Sequence, residues 1–237
     1  MRNSFLSIAG VSTFTYTKPL LCEPGKPPVE LSRLDQKNWH RTPEALDRAI
    51  SSTVSKLAAS VDAIVVMDQA PVEGTGVVTE RVRSVLSGIA DAHPELPILA
   101  DSRRSLREFP PVIWKMNAAE LALLGETADE ASAVRAIAAR NGRAVFATLA
   151  ERGMLGAMPG GEPEHVEAFQ VHGPIDIVGA GDAVTANLAA ALSAGASLRE
   201  AMELAMAAAS IVIHHLGTTG TASVAQQHAL LSKGPPA

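Results

Sequence analysis

Asp176-Ile177-Val178-Gly179-Ala180-Gly181-Asp182-Ala183 is the stretch around which the chain is organised. Gly179 and Gly181 let the backbone turn tightly and approach a ligand without a Cβ in the way, and the small apolar run Ala183 to Leu192 then begins a helix. The first turn of a helix has unpaired N–H groups and the positive end of the dipole, so an anion such as a phosphate is stabilised there. Asp182 stands at this helix start, where its carboxylate could take a proton from a hydroxyl attacking that phosphate. Aspartate is also a common helix cap, and Gly-x-Gly a common turn. A dinucleotide fingerprint fits badly, because Val184 stands where its third glycine would be and no βαβ unit follows. No Gly-x4-Gly-Lys-Ser/Thr loop occurs in the chain.

Working outward, hydrophobic runs and helical stripes alternate. Thr42 before Pro43 reads as the cap of a helix with Leu46, Ile50, Val54 and Leu57 on one face. Asp62 to Met67 is a strand, Val78, Val82, Val85 and Ile89 mark a helix, and Pro97 to Asp101 and Val112 to Met116 are further strands. A short helix, Ala118 to Leu124, is predicted to end on Gly125 as a left-handed cap, and Thr127 with Glu130 to form a capping box for the next helix. Arg143 to Thr148 is a strand, and Gly153 to Pro159 with His165 to Val171 form a hairpin about Gly160-Gly161. After the helix that Gly195 stops, Ser197 and Glu200 cap another that runs to near Gly217. Upstream, Phe5 to Tyr16 and Val29 to Leu34 read as a hairpin or edge element. This order implies a mostly parallel sheet with helices on both faces and ligands beyond the carboxyl ends of the strands. The adjacent His214 and His215 point about 100° apart on a helix and cannot chelate one ion.

With 237 residues and 47% hydrophobic content, residues 1–231 can build one domain, and 232–237 read as a disordered tail. A net charge of −5 argues against a nucleic-acid surface, and no window reaches the length of a membrane span. The single cysteine, Cys22, cannot form an internal disulfide, in keeping with a reducing, cytoplasmic setting.

Three stretches together carry a family resemblance. The GAGD segment resembles the second signature of the ribokinase-like (PfkB) sugar kinases. Asn117 and Glu120, at a strand end and in the first turn of the next helix, resemble that family's Asn-x-x-Glu motif, although a cap and a dipole-favoured acid explain them equally well. Thr148-Leu149-Ala150-Glu151-Arg152-Gly153 is similar to the loop that borders ATP. The segments Pro97 to Leu124 and Leu188 to Ser223 look like the heptose 7-phosphate kinase branch.

The resemblance implies a three-layer αβα fold and ATP-dependent phosphoryl transfer to a sugar or sugar phosphate. Asp182 would be the catalytic base, with the Gly179, Ala180 and Gly181 backbone holding the transferring phosphoryl. Asn117 and Glu120 would organise Mg²⁺, Glu120 through water. Thr148, Glu151, Gly153 and Met206 would lie along the nucleotide. Departures accompany the match. Met206 stands where the family often has Asn, Ser210 replaces a following Gly, and Asp101 is followed by Ser102 and Arg103 where the branch has Pro-Lys. The strands that carry the family's sugar site are missing ahead of Phe5. Either the sequence is then a fragment or shortened gene product, or a second copy or another chain completes the fold; the alternative reading is a non-catalytic nucleotide-binding remnant. No His-x-Gly-His nucleotidyltransferase motif is present.

Overall fold

The computed structural model describes residues 5–26, 28–125, 127 and 129–232; the expected tail lies almost wholly outside them. Its centre is a six-stranded sheet formed by β5 (Ile64–Asp68), β6 (Ile98–Ser102), β7 (Ile113–Asn117), β8 (Val145–Thr148), β9 (Met154–Ala157) and β10 (Glu164–Val166). The strands follow one another in the order β10-β9-β8-β7-β6-β5; β5 to β8 are parallel, and β9 and β10 return antiparallel as the hairpin read from the sequence. Register collects polar residues at one edge. Asp68 pairs with Ser102, and Asn117 with Thr148, at the carboxyl ends of the parallel strands.

Side chains alternate across the sheet with period two, so each strand feeds two cores. Ile98, Ala100, Val145 and Ala147 face the layer of α2 (Glu80–Ala92), α3 (Ala118–Leu124) and α4 (Glu130–Asn141), where Leu86, Leu121, Val134 and Ile137 are buried. Leu99, Phe146 and Met154 face α5 (Ala180–Ser193) and α6 (Leu198–Val212). Ala201, Ala205, Ala207 and Ala208 of α6 are fully buried, so their lack of bulk lets helix, helix and sheet approach closely. The three layers match the sequence expectation, and α1 (Glu44–Leu57) packs on α2.

The local differences have physical reasons. Residues 5–14 form no strand, and the upstream ribbon is shorter than its apolar runs: β1 (Thr15–Thr17) pairs with β4 (Leu34–Gln36), and β2 (Leu20–Leu21) with β3 (Val29–Glu30). Thr42 does not cap α1. Its hydroxyl donates to the Gly76 carbonyl and its amide to that of Gly74, so Pro43 stands at the cap without a side-chain bond. Asp129, not Thr127, caps α4 by accepting from the Ser132 amide. Gly125 is extended, at φ −74°, rather than left-handed. Helix α6 ends at Val212, before Gly217, and α7 (Val224–Leu231), unread in the sequence, starts on a capping box of Ser223 and Gln226. The Ser197–Glu200 capping box is present as read. No helix among the described residues is long and apolar enough to cross a membrane.

Candidate active site

The turn into α5 is held from outside. Asp176 accepts hydrogen bonds from the Val178 and Gly217 amides, at 3.0 and 3.2 Å, and donates its own amide to Ile213. The start of α5 is thereby fastened to the end of α6. Gly179 occupies the cap position at φ +86°, where a Cβ would lie 2.5 Å from Thr219 Cγ2, so the position needs glycine both for conformation and for space. No side chain among the described residues caps this helix. The Ala180 amide bonds Ile177, while those of Gly181 and Asp182 have no protein acceptor among the described residues. Two free amides at a positive helix end are an anion seat. Asp182 is exposed beside them and makes no hydrogen bond or ion pair among the described residues, so the capping role open in the sequence is not the one it has here.

A cleft of about 440 Å³ opens in front of this turn. Gly181, Asp182, Asn117 and Glu120 line it, together with Asp101, Lys115, Arg103, Tyr16, Met67 and Gln69. Lys115 and Asp101 form a buried ion pair at 2.7 Å, with side chains 6% and 10% exposed. The Lys115 Nζ also lies 3.4 Å from where a Cβ on Gly181 would be, so its ammonium stands beside the anion seat. Only one of its three donors is taken by Asp101.

Asn117 and Glu120 make a full capping box on α3. Asn117 Oδ1 accepts from the Glu120 amide at 2.9 Å, and Glu120 Oε2 accepts from the Asn117 amide at 2.8 Å. The cap leaves Asn117 Nδ2 and Glu120 Oε1 without a hydrogen-bond partner among the described residues, and both residues line the cleft. Burial pushes the Glu120 carboxyl above its ordinary range, partly opposed by the Asn117 N–H.

The other expected residues do not line this cleft. Thr148, beside Asn117 in register, donates to the Met116 carbonyl at 3.3 Å. Glu151 is exposed on the 3₁₀ turn Ala150–Arg152. Gly153, at φ +88°, has the Val166 carbonyl 2.0 Å from its Cβ position, so it permits the close approach of β10. Met206 is 7% exposed, in the core cluster that also holds Leu188, Met202 and Ala209.

Sequence reasoning passed over Lys115, Arg103 and Tyr16. For Lys115 a signal was available, since a lysine inside the apolar strand Ile113–Asn117 requires a buried partner.

Residues 89–225 match the model of the pfkB family carbohydrate kinases. The bifunctional protein HldE of Hyphomonas neptunium is 29% identical over 214 residues, covering 87% of this chain and 43% of that protein. The HldE of Bradyrhizobium is 30% identical over 204 residues, covering 82% and 41%. The chain thus spans about two fifths of the length of these relatives. Among solved structures, phosphofructokinase-2 of Escherichia coli in complex with potassium superposes with a TM-score of 0.66 at 19% identity, over 85% of this chain and 66% of that one. Ribokinase of Arabidopsis thaliana complexed with ribose and ATP gives 0.58 at 18%, over 84% and 63%. These likenesses identify the fold as ribokinase-like, and with the family model matching more than half of this chain, from α2 into the first residues of α7, the chain belongs to the pfkB family of carbohydrate kinases.

Proposed function

We propose that the chain transfers the γ-phosphoryl group of ATP to a hydroxyl of a sugar or sugar phosphate of the heptose 7-phosphate kind. The observation that carries this reading is an unengaged carboxylate, Asp182, beside the free Gly181 and Asp182 amides and the Lys115 ammonium. Asp182 takes the proton of the attacking hydroxyl. The backbone of Gly179, Ala180 and Gly181 and the charge of Lys115 hold the phosphoryl in line. Such transfers ask a protein mainly for positioning and charge, which this arrangement supplies.

Asn117 and Glu120 are too few to strip a divalent ion, but they suit a hydrated Mg²⁺, which keeps several waters and is otherwise bound by phosphate oxygens. Bound there, the ion would neutralise charge on the nucleotide phosphates. Thr148, Glu151 and Gly153, on the next strand end beyond Asn117, would border the nucleotide. A kinase of this kind works where ATP is made available, in the cytoplasm.

One observation favours a further element in this reading. Among the described residues β5 has a single strand neighbour, and its Val65 is 43% exposed. An uncovered edge of this kind invites strand pairing. A second copy or another chain would cover it, and light scattering of the purified chain should show a species larger than a monomer. A chain with that edge uncovered could also be a non-catalytic, nucleotide-binding remnant.

The deciding assay is ADP release with Mg-ATP against a panel of sugars and sugar phosphates, with Asp182→Asn alongside. Acceptor-dependent release should fall by about 10²–10⁴ in the variant, the size of a general-base contribution. Equal rates in both proteins would remove Asp182 from the chemistry, and no release with any acceptor would favour the remnant.

A further inference from the structure

On the face of the sheet away from the cleft, two arginines are buried with fewer acceptors than they have donors. Met67 and Asp101 line the cleft, and the next residues along their strands, Asp68 and Ser102, point to the opposite face. Asp68 is 2% exposed and accepts from the Ser102 hydroxyl at 3.0 Å and from Arg104 Nη2 at 3.2 Å. Arg83 is buried on α2, and its Nη2 reaches Glu73 Oε1 at 3.2 Å and Glu108 Oε2 at 3.3 Å. Arg83 Nη1 and Arg104 Nε are also buried, and neither has a hydrogen-bond partner among the described residues.

The two halves of this cluster are held with unequal firmness. The Arg83 and Arg104 side chains are only 9% and 19% exposed, whereas those of Glu73 and Glu108 reach in from solvent, 51% and 62% exposed. Water competes for such exposed carboxylates, so their pairs contribute little, while an unmet donor on a buried cation is costly. Glu73 stands at the tip of a loop pinched at its base, where a Cβ on Gly76 would lie 2.7 Å from that of Ala70. Arg41 flanks the tip, its Nη1 3.7 Å from the Cβ position of Gly74. The Glu73 carboxyl is held below its ordinary range by the hydrogen bond from Arg83, against desolvation, and then by the charges of Arg104, Arg83 and Arg41. Three cations therefore surround one exposed carboxylate that engages a single nitrogen.

We propose that Arg83, Arg104 and Arg41 form a second anion seat, for a small dicarboxylate, and that Glu73 fills it from within as a stand-in for that ligand. One carboxylate of the ligand displaces Glu73 and takes both Nη1 and Nη2 of Arg83, the two-point pairing that a guanidinium favours. The other meets Arg104 Nε and the charge of Arg41. A monocarboxylate gains too little, because Glu73 already supplies one carboxylate at the high effective concentration of a tethered group. A ligand held here is not a reactant, since the seat lies across the sheet from Asp182, and the inference stands apart from the kinase reading.

Malonate, succinate and glutarate are titrated calorimetrically into the full chain at constant ionic strength, with acetate and inorganic phosphate as separate arms. Hydrogen exchange over residues 103–109 reads the seat, and over residues 177–183 the start of α5. At least one dicarboxylate should bind about 10-fold or more tightly than acetate, slow exchange over 103–109 and leave 177–183 unchanged. Glu73→Gln removes the stand-in from an exposed position, where the fold is not at risk, and should tighten binding about 3- to 10-fold. Arg83→Gln, shown by thermal melts to be folded, should weaken it about 10- to 100-fold, the effect of a charge-assisted hydrogen bond. If Arg83→Gln does not fold, the gain in Glu73→Gln decides. The proposal is overturned by equal affinity for dicarboxylate and acetate, by binding that is no tighter in Glu73→Gln, or by unchanged binding in a folded Arg83→Gln. Protection at 177–183 in place of 103–109 would move the anion to the cleft and overturn it as well, and phosphate binding as tightly as the dicarboxylates would overturn the choice of ligand.

Discussion

Replacing Lys115 by Met separates the structural from the chemical duty of one side chain. The substitution removes the ammonium and leaves the Asp101 carboxylate, 10% exposed, without its 2.7 Å partner. At that distance and an effective dielectric of about 20, the gross attraction is about 6 kcal/mol, much of it offset by the desolvation of both charges. Breaking a buried pair by removing one partner costs about 3–5 kcal/mol, because the remaining charge is stranded. In a chain of this length each kcal/mol moves the thermal midpoint by about 2–4 °C, so Lys115→Met should melt about 6–20 °C lower. The double variant Asp101→Asn with Lys115→Met strands no charge and should regain most of that loss. If the ammonium also faces the transferring phosphoryl, the double variant will be folded yet bind Mg-ATP about 10- to 100-fold more weakly. Circular-dichroism melts and nucleotide titrations on the three proteins measure both effects. A single variant within about 2 °C of the parent would refute the burial argument. A double variant that recovers stability and nucleotide affinity together would refute the phosphate role.

Three further outcomes follow from the same geometry. Glu120→Gln keeps an acceptor for the Asn117 amide but removes a carboxylate whose pKa burial has raised. A carboxyl with a raised folded-state pKa loses stability as pH rises from its unfolded value through its folded one, so the variant should melt higher than the parent near pH 7 and lose that advantage below about pH 4; an advantage independent of pH would refute the burial cause. Gly179→Ala places a Cβ at φ +86° and 2.5 Å from Thr219 Cγ2. It should cost about 1–2 kcal/mol from conformation alone, with part of the remaining loss recovered by Thr219→Ser, as thermal melts would show. Gly153→Ala drives a Cβ to 2.0 Å from the Val166 carbonyl, a main-chain atom that cannot swing aside, and should cost about 3 kcal/mol or more in chemical denaturation, beyond any loss at Gly179.

The contrast between what was legible in the sequence and what was not follows from how far each feature is determined locally. The parallel strands begin one or two residues inside their apolar runs, as with Ile64, Ile98, Ile113 and Val145, because burial on both faces demands such runs wherever the strand lies. The Ser197–Glu200 box was readable because both partners lie within one helical turn. Thr42 misled for the opposite reason: its hydroxyl bonds Gly76, a residue of another loop, and nothing near Pro43 announces it. The ribbon was misjudged in length because its two- and three-residue strands pair only where the body places them. The site divides in the same way. Asp182 and Asn117 were legible because a strand end or glycine turn followed by a helix start is a local pattern. Tyr16, Arg33 and Arg103 come together across β1, β4 and the end of β6, and each reads on its own as an ordinary surface residue. Lys115 stands between the two cases. Its place within a buried strand demands a partner, but that the partner is Asp101 and the neighbour Gly181 depends on β6, β7 and α5 converging at the carboxyl edge of the sheet. The charges that surround such a cleft are therefore set by topology, whereas Asp182 and the free amides beside it are written into a single segment.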